Sequence, residues 1–318
     1  MYKGICMYRG KGIGLSLNAD LINGDMPTLE RHLGYVAEAG CDYVELILHG
    51  LDVVIAGKLS RPRLDAVTRI LDKFQLRRTL HLPYELNLLS ASRHDAYYAC
   101  FAAGIEFAAA ANCEVVTYHS SFMELAPGSQ QSAFYRKFGD DPADRYDHLL
   151  EFDLEALGSL SESAGKHIRI GVENTAWHDQ ATMRGYGRTP RSIAAHIGKL
   201  ETAAIGVTMD MGHLHMASRA DGLDFAAEAR HALPSLAHVH IHDNFGDSTR
   251  PADFMAGLPY GFGDLHLPVG WGTVPWDAVL PDLAGYEGVW MMEIEFRFYP
   301  HFPELVADMK SRIRSLPA

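Results

Sequence analysis

The stretch IRIGVENTAWHDQATMRGYGRTPRSIAAHIGKLETAAIGVTMDMGH, residues 168–213, decides the fold. It opens on a short apolar run, IRIGVE, that ends in a glutamate. A polar, glycine-containing connection follows, then Pro190, an amphipathic segment and a second apolar run, IGVTMD, that ends in an aspartate. Two such runs joined through a helix read as parallel strands with a crossover between them. Proline suits the first turn of the helix, where its missing N–H would have had no partner.

The same unit recurs in both directions along the chain. Strands are predicted near residues 13–17, 43–48, 78–82, 114–119, 168–173, 205–210, 237–242 and 289–295. Helices are predicted near 28–39, 61–74, 91–111, 144–165, 190–200, 222–231, 275–284 and 302–314. Pro27, Pro62, Pro190, Pro275 and Pro303 stand at or near helix starts, and Gly40 supplies the left-handed turn after the first helix. Eight strands alternating with eight helices give an α/β fold, a single (β/α)₈ TIM barrel over residues 1–318. A doubly wound sheet is the alternative, but no G-x-G-x-x-G follows the first strand. The connections after strands four (120–143), five (174–189) and seven (243–274) are long and rich in Gly, Pro and polar residues. Each leaves the C-terminal end of a strand, so a pocket walled by these three loops is expected there.

Composition narrows the classes. The 318 residues are 47% hydrophobic and 21% charged, as in ordinary globular proteins. The net charge of −12 disfavours nucleic acid as a partner, because phosphate binding rests on clustered Lys and Arg. Cys6, Cys41, Cys100 and Cys113 show no C-x-x-C spacing and read as small reduced packing residues. No apolar run reaches membrane-span length, and the N-terminal stretch lacks the apolar core of a signal peptide. The expected compartment is the cytoplasm, and the expected partner is a small molecule.

Nine residues at or just beyond strand ends carry the chemistry: His81, His119, Glu173, Asp210, His213, His240, Asp264, His266 and Glu293. Imidazoles and carboxylates are costly to bury alone, and a divalent cation stabilises their convergence. The set is all nitrogen and oxygen, which suits zinc, manganese or iron. Side-chain alternation puts His238, His240 and His242 on one face, and likewise Glu293 and Glu295, without choosing among them.

The surrounding motifs are HLPYELNL from His81, YHSS around His119, VENTA around Glu173, DMGH from Asp210, HIHD from His240, DLHLPVGWG from Asp264 and MEIE before strand eight ends. In this order they resemble the xylose isomerase-like TIM barrels, and most closely the endonuclease IV group. The resemblance implies that the nine residues hold up to three zinc ions. It selects His240 and Glu293 as ligands and leaves His242 and Glu295 for substrate or for support behind the ligands. It further implies a hydrolase in which a metal-held hydroxide attacks a small phosphorylated or polar metabolite. The subset Glu173, Asp210, His240 and Glu293 also resembles the single-metal site of sugar and sugar-phosphate isomerases and epimerases, with Glu173 and Glu293 as the catalytic acid/base pair. Cleavage of abasic DNA ranks third, because the apolar wedge expected after Tyr84 is here Glu85, which repels a phosphate backbone, and a metal-binding protein that has lost catalysis is the fourth reading. Arg184 and Arg188, with Arg191, read as a clamp for a substrate anion. Trp177 and Trp271, with Trp276, Tyr186 and Phe262, read as an apolar wall for a sugar.

Overall fold

A computed structural model describes residues 12–139, 141–175, 182–249 and 254–317. Cys6 and Trp177 lie outside the described residues. Among these residues eight strands close a parallel barrel: Gly12–Ser16, Tyr43–Ile47, Arg77–His81, Cys113–His119, Arg169–Glu173, Ile205–Asp210, Leu236–Ile241 and Val289–Met292. Each pairs with its neighbours in sequence, and the eighth closes on the first through Gly12–Val289 to Leu15–Met292. The eight predicted strands are therefore present, with the last one shorter than expected. After Met292 the chain leaves its neighbour, since Glu293 N donates to Ile241 O but Glu295 N donates to His266 O.

Helices start where the sequence placed their proline signals. Asp25 accepts from Thr28 N ahead of Met26–Glu38, and Thr189 forms a reciprocal cap with Ser192 ahead of Pro190–Ile197. Leu29, Leu33 and Val36 bury one face of the first of these helices at helical spacing. Short helices at Ala19–Ile22, Pro127–Gln130, Ala133–Arg136 and Phe254–Tyr260 and the longer Met211–Asp221 are additional to the prediction. The first eight residues of Met211–Asp221 are all buried, so no polar stripe marks it in the sequence. Among the described residues no helix is long and apolar enough to cross a membrane. Cys113 is buried in the core, and burial pushes its thiol up to about 12.

The barrel interior beneath the C-terminal mouth is polar. Glu45, Thr79, Thr117, Thr208 and His238 are fully buried there, and Thr117 Oγ1 meets Thr208 Oγ1 across strand five at 3.5 Å. Gly171 on strand five makes room for that contact: an added Cβ would lie 2.0 Å from Thr208 Oγ1. Threonine is stiff about its first torsion and has nowhere apolar to turn. Gly171→Ala is therefore expected to destabilise the fold by about 1–3 kcal/mol, read from the urea midpoint.

Candidate metal centre and cavity

The nine residues converge. Glu173, Asp210, His240 and Glu293 offer ligand atoms that all lie within 4.8 Å of one another, and His240 Nδ1 stands 3.2 Å from both Glu173 Oε1 and Glu293 Oε2. On one side His81 Nε2 approaches Glu173 Oε2 at 3.0 Å and His119 Nε2 approaches it at 3.5 Å. On the other side, His213 Nε2 and His266 Nε2 lie 3.0 and 2.8 Å from Asp264 Oδ2. His242 joins this last group, its Nδ1 3.8 Å from Asp264 Oδ1. The sequence reading left His242 for substrate or for support behind the ligands; its Nε2 lies 3.0 Å from Asp210 Oδ2 and its Nδ1 faces Asp264, beside the donors.

Strand ends and loop turns aim these rings. His81, His119, His213 and His266 turn Nδ1 toward a backbone carbonyl, those of Leu82, Tyr84, Asn174 and Glu293 respectively, at 2.6 to 3.0 Å. A carbonyl only accepts, so Nδ1 carries the proton and Nε2 points at the carboxylates. That is the tautomer and orientation of a metal-ligating histidine with its outer partner in place. Asp210 also caps the helix Met211–Asp221, accepting from His213 N at 2.6 Å. The cap swings His213 into the group one turn later.

The residues fit a divalent cation by two tests. The donors are imidazole nitrogens and carboxylate oxygens, with no thiolate. Two inward atoms are buried without a hydrogen-bond partner: His242 Nδ1 and Asp264 Oδ1. Unpaired buried polar atoms are rare and destabilising unless something binds them.

Two residues that the ligand assignment did not include stand behind the centre. Glu45 on strand two is fully buried, with Oε2 3.3 Å from His240 Nε2 and Oε1 3.4 Å from His238 Nε2. A glutamate inside the apolar run YVELI was the signal, since it needs a buried partner. Burial works against its ionisation, but His240 and His238 outweigh that and hold its carboxyl well below the usual range.

The same balance runs through the centre. Burial opposes charge on Glu293, yet His240 outweighs it and brings the carboxyl down to about 2. Burial likewise opposes charge on His266, yet Asp264 raises it to about 10. For His119 burial wins and lowers it to about 4. In the metal-free protein the raised value of His266 contributes stability that is complete below its ordinary 6.5 and is lost as pH rises through about 10. A cation must displace that proton. Metal affinity is therefore expected to rise with pH through the neutral range, with proton release seen by calorimetry in buffers of different ionisation enthalpy. An affinity flat in pH with no proton release contradicts this assignment.

A cavity of about 1410 Å³ opens over the centre, with His119, His213, Asp264, His266 and Glu293 in its floor. All three long loops reach it, through Ser120 and Phe122, Thr175 and Met183, and Asp264 and His266, and the segments after strands one, three and eight add Leu17, Leu21, Tyr84, Leu86, Ile294 and Phe296. The arginine clamp is not formed in the cavity: Arg188 pairs with Asp221, Arg191 with Glu228 at 2.9 Å, and Arg184 lies 4.0 Å over the Tyr146 ring. Trp271 is also outside the cavity lining, edge-on to Phe298 at 5.4 Å. Trp276 and Tyr186 are buried against Asp243 and Asp153. Phe262 stacks on Tyr260.

Asp243 organises the arm that carries Asp264 and His266. Its two oxygens accept from Asn244 N, Gly270 N, Val274 N and the Trp276 indole, and its backbone bridges Leu267 in both directions.

A closed parallel barrel whose C-terminal mouth gathers imidazoles and carboxylates under an open cavity has the architecture of a barrel enzyme. The chain belongs to the xylose isomerase-like TIM barrel family, whose family model matches residues 33–314. It is similar to the uncharacterized protein MJ1311 of Methanocaldococcus jannaschii, 24% identical over 265 residues, covering 81% of this chain and 76% of that one. The uncharacterized protein MJ1614 of the same organism is 22% identical over 310 residues, covering 97% of this chain and all of its own length, 100%. Among solved structures, a D-tagatose 3-epimerase-like protein superposes with TM-score 0.68 at 21% identity, covering 95% of this chain and 98% of that one. L-ribulose 3-epimerase gives TM-score 0.64 at 15% identity, with 96% and 95% covered. At these identities the likeness to the solved structures is one of fold.

Proposed function

We propose that the protein is a divalent-metal-dependent epimerase or isomerase of a small, uncharged sugar. The observation that carries this reading is the central donor set, in which Glu173 and Glu293 meet on one nitrogen of His240 under the cavity. When bound there, zinc, manganese or iron supplies polarisation of the substrate carbonyl, which makes the neighbouring carbon-bound proton more acidic. Glu293 lines the cavity and takes that proton as general base. Glu173, fully buried beside it, returns a proton to the carbon. Glu45 holds His240 in place from behind. Asp20, Glu85 and Glu295 line the cavity together with Arg31 and Arg297. That lining favours an uncharged substrate over a phosphate ester or a nucleic-acid backbone. Two of the solved structures that share the fold, a D-tagatose 3-epimerase-like protein and L-ribulose 3-epimerase, support the same class.

The test is solvent exchange. The metal-loaded protein, incubated with ketoses in deuterium oxide, is expected to introduce deuterium at the carbon beside the carbonyl, read by NMR. No label in any ketose overturns the reading.

One observation favours a second reading, a multinuclear hydrolase. The group His213, His242, Asp264 and His266 offers a further complete set of ligand atoms that a single-metal epimerase does not need. For a hydrolase, Asp264→Asn abolishes phosphoester turnover and the ketose panel stays unlabelled.

A further inference from the structure

Two of the long loops meet beside the cavity and pair. Phe122–Glu124, from the loop after strand four, runs antiparallel to Met183–Gly185, from the loop after strand five. Residues paired across such a ribbon share a face, and successive residues alternate. Met123, opposite Arg184, takes one face. It is buried with Tyr146 and Leu149 of the helix Pro142–Ala164, and Arg184 lies over the Tyr146 ring. The other face carries Phe122 and Met183, and both line the cavity. The ribbon is thus a wall with its back on a helix and its front toward the cavity.

One residue holds the base of this wall. Asp153, on the same helix, is fully buried. Its Oδ1 accepts from Ser121 Oγ at 2.6 Å, and its Oδ2 accepts from the Tyr186 hydroxyl at 2.8 Å. Ser121 immediately precedes the first ribbon strand, and Tyr186 immediately follows the second. Because Phe122 pairs with Gly185, the two hydroxyl residues stand at the same end of the ribbon. His196 Nε2, on the helix Pro190–Ile197, also donates to Oδ2 at 3.0 Å, and its ring centroid lies 3.9 Å from that of Tyr186. One carboxylate therefore fastens both strands to two helices.

A carboxylate is hard to bury, and the apolar cluster around Met123 already packs the ribbon's back. What apolar packing lacks is direction. Three hydrogen bonds on one carboxylate fix where the ribbon stands over the cavity. The metal donors do not depend on this clamp. His119, two residues before Ser121, is set by its pairing with Glu173 and by the Tyr84 carbonyl.

We propose that Asp153 is a positioning residue for substrate: through Ser121 and Tyr186 it holds the ribbon as a fixed wall, so that Phe122 and Met183 meet a substrate seated on the metal centre. This rests on the epimerase reading and adds to it a residue that touches neither substrate nor metal.

Two variants test it. Tyr186→Phe keeps the ring beside His196 and removes one hydroxyl, while Asp153→Asn keeps the shape and removes acceptor capacity. The deuterium assay uses D-fructose, D-tagatose and L-ribulose. In it Tyr186→Phe is expected to raise KM about fivefold, as for one lost hydrogen bond, with kcat and metal content at parental levels. Asp153→Asn is expected to raise KM further, and the double variant no more than Asp153→Asn alone, since both changes release one clamp. Amide exchange read by mass spectrometry is expected to quicken about tenfold in both ribbon strands together, with the barrel strands unchanged. A KM unchanged in both variants overturns the proposal, and so does a fall in kcat and metal content in its place. Faster amide exchange throughout the barrel in both variants makes Asp153 a residue of the whole fold and overturns it too. If the parental protein labels no ketose, the epimerase reading fails and takes the claim about KM with it. Amide exchange in the ribbon then upholds or overturns the clamp by itself.

Discussion

Glu173→Gln is expected to lower solvent exchange into substrate by about 10³-fold, within the range for losing a general acid or base. The substitution keeps the shape and removes the charge. Glu173 is the residue most donors share: His81 and His119 approach Oε2, while His213 and His240 approach Oε1. An amide offers one acceptor where the carboxylate offers two, and its NH₂ meets whichever imidazole nitrogen faces it. Metal content is therefore expected to fall together with activity. Burial opposes ionisation of Glu173, but His240 and His119 outweigh it and hold the carboxyl well below the usual range. Its stabilising contribution is thus present above the unfolded carboxylate value and lost as pH falls through the folded one. The variant should melt lower than the parent at neutral pH, and the gap should close on acidification. Full exchange activity in Glu173→Gln would remove this residue from the reaction.

Gly212→Ala is expected to dismantle the outer donor group without replacing any of its residues. The new Cβ would lie 2.0 Å from His242 Cε1 and 2.5 Å from its Nδ1. His242 has no easy retreat. Its Nε2 is held by both oxygens of Asp210, and its ring stacks on His266 at 4.1 Å. Gly212 opens a buried helix turn, so backbone movement would disturb the Asp210 cap as well. A loss of about 1–3 kcal/mol is expected in denaturant unfolding, with weakened metal binding at this group. Removing the obstacle should restore part of the loss. In a cycle with His242→Ala, the double variant is expected to be more stable than the sum of the single losses. Additive losses would mean that the two residues do not collide.

The strands were legible because each is a short apolar run ending in a chemically expensive residue. Glu173, Asp210 and His119 do close their strands. Glu293 falls one residue past its strand, where the chain changes partner, and nothing local in VWMMEIE marks that switch. The convergence of the donors was legible for the same reason, since a closed barrel brings every strand end to one mouth. What could not be read was which polar groups satisfy each other across long sequence gaps. Arg188 and Arg191 look like a substrate clamp until Asp221 and Glu228 are seen beside them. His242 looked spare until Asp210 took its Nε2. Loop length pointed to only part of the cavity wall: the short turn after strand one, Leu17 to Leu21, also reaches the cavity, and the longest connection reaches it through Asp264 and His266 but not through Trp271.

The four hydrogen bonds gathered by the Asp243 carboxylate have a kinetic meaning. They tie down both flanks of the Asp264–His266 arm, so that arm need not search for its place when an ion arrives. Capture is then governed by encounter and by loss of protons from the imidazoles, and release by rupture of coordination alone. Such a centre should exchange its ion slowly and reload with a single rate, in contrast to one that folds around its guest.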